Sequence, residues 1–365
     1  MAIEHGSGPP DLDAGAFEAW LGERVTVAGP LTWSLLAGGR SNLSYLLEVP
    51  RARYVLRRPP LGHVQATAHD MAREHRVQSA LAGTGVPVPR MIGLCEDPSV
   101  AGAPFYVMEY VEGRIVRDPR DAAGLGPGQR GAAALAMMDT LAGLHLVEPA
   151  AVGLDGFGRP EGFLARQLRR WWTQYEGSRS REVPGIDRLP GLLGARVPEQ
   201  RRSTVVHGDY RLDNLVLGDD GGVRAVLDWE MATLGDPLAD VGLLLAYWEG
   251  LGGGEHGVVP APGLVPGPGS GFPPGRDLVE RYAGAVGAVG AGGAGGAGGA
   301  GGADVADVAD LAWYVAFGYF KIAVILEGIH RRHALGQTVG AGFEGIGALV
   351  PPLVGAGLRV LDEGI

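Results

Sequence analysis

The loop formed by residues 207–214, HGDYRLDN, gathers a histidine, two aspartates, an arginine and an asparagine behind the apolar stretch Thr204-Val205-Val206. Side chains of these types can handle a phosphate and a proton if their oxygens converge. Asp209 is then the proton acceptor for a reacting hydroxyl, and Asn214 offers a carboxamide oxygen. Residues 215–217, the turn GDDGG and residues 223–227 read as a β-hairpin that ends at Asp228. Antiparallel pairing is expected to bring Asn214 and Asp228 together at its open end. That pair suits Mg²⁺, which takes hard oxygen ligands and keeps waters and substrate phosphates.

The spacing His-x-Asp-x-x-x-x-Asn, with a second aspartate after a hairpin, is that of a phosphoryl-transfer loop. The plain alternative is a solvated turn, because Asp and Asn bond their own backbone in loops. His207 reads as scaffold rather than ligand. Arg211 either braces a phosphate or pairs with a neighbouring acid, and Asp213 is equally open. Asp236, before Pro237, reads as a helix N-cap, and Asp240, one turn on, is expected to steady the loop.

A second group lies near the N-terminus. Arg57 follows a strand at 53–56, and a helix at 69–81 puts Met71, Glu74, Val77 or Gln78, and Leu81 on one face. A carboxylate on that apolar stripe needs a partner, and Arg57 is the obvious one. Such a pair aims the cation at the α/β-phosphates of a nucleotide; the alternative is an ordinary, partly buried salt bridge. Gly38-Gly39-Arg40-Ser41-Asn42 precedes a strand at 43–49, and its backbone at Ser41 and Asn42 can approach phosphate or simply turn.

The elements that position these residues divide into a β-β-α-β opening, with a further strand at 105–110, and a mainly helical remainder, including 132–146 and 163–175. Residues 258–274 and 283–302, rich in Gly, Pro and Ala, read as unstructured. Helical patterning resumes at Val305 and runs to about His333. The 365 residues, 46% hydrophobic, suffice for a large core. A net charge of −10 disfavours a nucleic-acid or anionic-membrane surface. One cysteine, Cys95, no basic-apolar leader and no uninterrupted membrane span (Lys321 and Glu327 break the best candidate) point to the cytoplasm. Oligomeric state is open. Lys321 is the only lysine.

HGDYRLDNLV and VLDWEMATLGDPLADVG resemble the aminoglycoside phosphotransferase and choline kinase-like superfamily. The blocks GGRSNLSYLL, YVLRRPP, HDMAREHRV, GVPVPR and CEDPSVAGAPFYVMEYVEGR resemble the branch related to the kinase-like domain associated with acyl-CoA dehydrogenases. The resemblance implies an α+β, bilobal protein-kinase-like fold. A small β-rich N-lobe covers 1–107, a hinge 108–112, and a larger, mainly helical C-lobe 113–365 with a flexible Gly/Ala-rich insertion near 283–303. It also implies ATP and Mg²⁺ as cofactors, with adenine beside Met108, Glu109, Tyr110 and Val111. Asp209 is then catalytic, Asn214 and Asp228 hold metal, and Ser41, Asn42, Arg57, Glu74, Glu109 and Tyr110 serve the nucleotide. Arg57 stands where most kinases have lysine, and the two are not interchangeable.

The implied activity is ATP-dependent phosphorylation of a small-molecule hydroxyl, with a hydroxyacyl-CoA-like acceptor. Aromatic residues at 171–172, 247–248 and 313–320 either line that acceptor's pocket or build the core. The alternatives are a nucleotide-binding pseudokinase that regulates a partner, an aminoglycoside-type kinase, and a metal-dependent hydrolase using His207 and Asp209.

Overall fold

The computed structural model describes residues 3–6, 8–9, 11–27, 29–36, 42–60, 70–252, 266–292, 310–338 and 342–364. The chain forms two units, Met1–Gly113 with Arg224–Ala232, and Arg114–Val223 with Thr233–Ile365. In the first, strands β1 (Ile3–Gly6), β2 (Thr32–Leu36), β3 (Leu43–Val49), β4 (Ala52–Arg58), β5 (Met91–Cys95) and β6 (Phe105–Glu109) make one antiparallel sheet in the order 1-2-3-4-6-5. Helices α1 (Ala14–Gly22), α2 (Met71–Leu81) and α3 (Pro98–Ala101) accompany it. The sheet is larger than the sequence showed, because β1, β2 and β5 are short and lack clean alternation.

Successive side chains of a strand face opposite ways, and β4 uses both faces. Tyr54 and Leu56 join Phe17, Leu47, Phe105 and Val107 in one core. Val55 turns the other way, onto Met71, Tyr106 and Met108. Arg57 shares that second face with Val55. On α2, capped by the Asp70 carboxylate, the buried residues are Met71, Glu74, Val77, Gln78 and Leu81, the stripe expected from spacing.

The second unit is helical: α4 (Pro119–Ala123), α5 (Pro127–Leu146), α6 (Phe163–Ser178), α7 (Arg188–Ala195), α8 (Leu238–Gly250), α9 (Gly275–Gly292), α10 (Leu311–Ala334) and α11 (Val350–Glu363). Strand β7 (Thr204–Val206) pairs antiparallel with β10 (Thr233–Gly235). Strand β8 (Leu215–Leu217) leads into the DDGG turn, where the Gly218 N–H donates to the Gly222 carbonyl at 2.8 Å, and β9 (Val223–Val226), which follows the turn, belongs from Arg224 onward to the first unit. The α+β class is as expected.

One expectation is corrected. Residues 283–292, read as unstructured, continue α9: Leu278, Tyr282 and Val286, one turn apart, are buried, and the alanines that follow favour helix. The rest of the tract, 293–303, lies outside the described residues, as does the helical start at 305–309. Of the two readings of the aromatic residues, core is the one met by Trp171, Tyr247, Trp248, Trp313, Tyr314, Phe317, Tyr319 and Phe320, all buried, while Trp172 is half-buried. Helix α10 is long and apolar enough to cross a membrane, despite Lys321 and Glu327, but most of it is buried inside the protein.

Helices α8 and α10 meet through glycine. A methyl group at Gly318 would lie 2.8 Å from the Gly242 carbonyl oxygen and 2.9 Å from the Ala246 Cβ. Gly318→Ala is therefore expected to lower stability by about 1–3 kcal/mol through overpacking, despite its better helix propensity. Urea unfolding with an unchanged m-value measures this; a rise in stability would refute the close approach.

Candidate functional site

In the first unit, five segments supply one polar cluster. Glu74, on α2, is almost wholly buried; its carboxylate accepts from Asn42 Nδ2 at 2.9 Å and Tyr106 Oη at 2.9 Å, and it forms an ion pair with Arg57, whose Nε lies 3.1 Å away. Arg57 Nη2 also reaches the Asp228 carboxylate and lies 3.9 Å from Glu230. Burial opposes the Arg57 charge, but Tyr106, Asp228, Glu74 and Glu230 more than offset it and hold the guanidinium above its ordinary range. Asp228 has φ of 65°, the one positive value at a non-glycine among the described residues. That conformation costs of order 1–3 kcal/mol and gathers at functional sites.

In the second unit, the loop between β7 and β8 is held by buried charge. The Asp240 carboxylate of α8 accepts from the backbone N–H of His207 at 2.7 Å and of Gly208 at 2.8 Å. It also shares a 3.2 Å hydrogen bond with His145 Nε2, whose Nδ1 meets Tyr282 Oη at 2.8 Å. Burial raises the Asp240 pKa, but His145, His207 and these donors outweigh it, so the carboxyl titrates below its ordinary value. Gly208 adopts φ of 83°, a left-handed turn that favours glycine.

His207 is buried, and its Nδ1 accepts from the Asp209 N–H at 3.2 Å. Asn214 Nδ2 donates to the Asp209 carbonyl at 2.9 Å and lies 3.3 Å from its carboxylate. Arg211 pairs with Asp213 at 2.7 Å and sits 3.4 Å from the Asp209 carboxylate. Asp236 accepts from the Leu238 N–H at 3.0 Å and from Tyr314 Oη at 2.8 Å, a cap tied to the core.

The sequence-derived residues thus form two groups: Asn42, Arg57, Glu74 and Asp228 in the first unit, Asp209 and Asn214 in the second. Glu109 and Tyr110 are not hydrogen-bonded to Glu74, although Tyr110 packs on the core formed by Val55, Met71, Tyr106 and Met108. Glu109 pairs with Arg90 at 3.0 Å, and Arg53 stacks over the Tyr110 ring at 4.5 Å. Their amide N–H groups donate to the Arg90 and Arg53 carbonyls, so neither is left for a purine. A cavity of about 510 Å³ beside them is lined by Arg53, Tyr54, Arg90 and Glu112, but includes none of the Glu74 cluster. Ser41 lies outside the described residues.

Among the described residues no three His, Cys, Asp or Glu side chains are grouped to cage a metal. Mg²⁺ does not require one, since phosphates and water complete its shell. With Nδ2 committed to Asp209, the Asn214 carboxamide oxygen is the atom left for a hard cation. The Asp228 carboxylate, with Arg57 on Oδ1, keeps a second oxygen of the same kind. Each is a hard oxygen of the kind that magnesium takes. Tyr106, His145, Tyr282 and Lys321 were not picked out as site residues from sequence. Their one signal is polarity on otherwise apolar elements.

The model of the phosphotransferase enzyme family (APH) matches residues 32–257. Acyl-CoA dehydrogenase family member 10 of Mus musculus is 36% identical over 317 residues, which make up 86% of this chain and 28% of that protein. The chain thus spans under a third of that relative's length. A crystal structure from Ralstonia eutropha, provisionally assigned as an aminoglycoside phosphotransferase, superimposes with TM-score 0.75 at 34% identity, covering 96% of this chain and 98% of that one. The ternary complex of a thermostable APH(4)-Ia mutant with AMP-PNP and hygromycin B gives TM-score 0.59 at 15% identity, over 96% of this chain and 100% of that one. At that identity the likeness is one of fold alone.

Proposed function

The chain belongs to the phosphotransferase enzyme family, and from that premise we propose that it transfers the γ-phosphoryl group of ATP, with Mg²⁺, to a hydroxyl of a small molecule. The observation that carries this reading is the setting of Asp209. Its carboxylate is partly exposed on a loop whose preceding peptides are held by buried Asp240, with His145 behind it. A solvated turn has no need of buried charges beneath it, whereas a proton acceptor does need a fixed geometry.

Magnesium triphosphate, when bound, supplies the transferable phosphoryl group and a cation to neutralise the charge that develops on it. Asn214 and Asp228 are the residues we assign to the metal. Arg57, oriented by Glu74, is assigned to the α/β-phosphates, and Asn42 to the same end of the nucleotide. Asp209 accepts the hydroxyl proton as the acceptor oxygen bonds to phosphorus and the bond to the leaving ADP breaks. Ser41, Glu109 and Tyr110 remain assigned to the nucleotide on the strength of the family resemblance.

For the acceptor we propose a hydroxyacyl thioester of CoA, because the chain resembles part of a protein named for acyl-CoA dehydrogenase. The Ralstonia eutropha neighbour makes an aminoglycoside the second reading. A thermal-shift series separates them. Mg²⁺ and ATP are expected to raise the melting temperature, since ligand at about a hundred times its Kd adds roughly 2.7 kcal/mol. A hydroxyacyl-CoA is expected to raise it further and an aminoglycoside is not. The reverse order of acceptors would overturn this choice, and no shift with any nucleotide would overturn the reading itself.

A further inference from the structure

We propose that Lys321 is a positioning residue for the transfer reaction, its buried ammonium clamping the Gly208 carbonyl so that the next residue, Asp209, is held in one orientation. The inference rests on the reading of Asp209 as proton acceptor and adds a residue from a distant part of the chain. Lys321 lies on α10 and is almost wholly buried, and its Nζ donates to the Gly208 carbonyl at 2.5 Å. The ammonium also sits 5.1 Å from the centre of the Trp171 ring on α6, a contact of the cation–π kind.

Opposite charges therefore grip adjoining peptides of one loop. The Asp240 carboxylate takes the N–H groups of His207 and Gly208, while Lys321 takes the carbonyl of Gly208. The Gly208–Asp209 peptide plane is fixed from its oxygen side, and that plane directs the Asp209 side chain. The left-handed φ of Gly208, 83°, is the conformation being held. A buried ammonium is costly without a partner. As the sole lysine of a chain whose other cations are arginine, it is a specific choice. Arginine's planar fork does not replace a compact point charge at a single carbonyl.

The charged groups facing the ammonium are Asp209 and Arg211 of the loop, Asp240 of α8 and Arg170 of α6. Burial is the largest influence and pushes its pKa down to about 8, against the pull of Asp209 and Asp240. An unfolded lysine titrates near 10.5, so between those values the folded chain binds fewer protons. Wild-type stability should accordingly rise relative to K321M as pH increases through that window.

The test uses the full chain. With isotope-labelled lysine, NMR reports a single side chain, and the inference expects it to titrate near pH 8 and lower still in Asp209→Asn. Titration at the ordinary lysine value, or indifference to Asp209→Asn, would overturn the clamp whether or not the protein transfers phosphate. In steady-state kinetics, K321M is expected to lower kcat by about a hundred-fold, the cost of a small misplacement, with KM for ATP unchanged. An unchanged kcat in folded K321M would also overturn it. If the wild type transfers nothing, the phosphotransfer reading fails, while the titration still reports whether Lys321 is buried beside Asp209, as the clamp requires.

Discussion

Asp209→Asn is expected to cut phosphoryl transfer by about 10²–10⁴-fold, the range for loss of a general base, while Mg²⁺ and ATP bind as before. Asparagine keeps the size of the side chain and leaves the backbone N–H bond to His207 and the carbonyl's bond from Asn214 in place. Asp240, His145 and Lys321 still hold the loop. What the variant loses is the charge that we propose accepts the hydroxyl proton. ADP release in the presence of acceptor gives kcat, and calorimetric titration with Mg²⁺ and ATP gives affinity. A kcat within a few-fold of wild type would remove Asp209 from the chemistry. A matching collapse of nucleotide affinity would make it a binding residue instead.

Much of this arrangement could be read from the sequence, for local reasons. Glu74 broke an otherwise apolar helical stripe, so burial and the need for a partner followed from spacing alone. Arg57 was a nearby cation on an adjacent strand. The hairpin from 215 to 228 announced itself by its DDGG turn. The unread part depends on contacts between distant segments. Tyr106 gave no sign that its hydroxyl would meet Glu74. His145 lies 95 residues from Asp240, and Lys321 lies 113 residues from Gly208. Each looked like one polar residue in an apolar run. The aromatic clusters and the start of the Gly/Ala tract were ambiguous for a different reason. Composition does not say which face a helix buries, and packing assigned them to the core and to α9.

Arg57→Met carries the second large effect. Glu74 and Asp228 both lose the guanidinium, and Glu74 is nearly inaccessible to water. Removing one partner of a buried pair costs about 3–5 kcal/mol because the other charge is left uncompensated. Unfolding in urea should show that loss, and ATP affinity should fall with it. The double variant Arg57→Met with Glu74→Leu separates the causes. Replacing both members of such a pair by apolar side chains often recovers stability, but it does not return the cation proposed to meet the phosphates. Recovered stability with weak ATP binding is the expected result. If ATP affinity recovers along with stability, Arg57 serves only to neutralise Glu74.

One measurement tests the central claim most directly. The wild type is incubated with Mg²⁺, ATP labelled in its γ-phosphoryl oxygens and a panel of hydroxyacyl-CoA compounds, and the products are identified by mass spectrometry. The account predicts label in a phosphate ester of an acceptor, with ADP formed in equal amount, from the wild type and not from Asp209→Asn. Label found only in free phosphate, or an equal yield from both proteins, would contradict it.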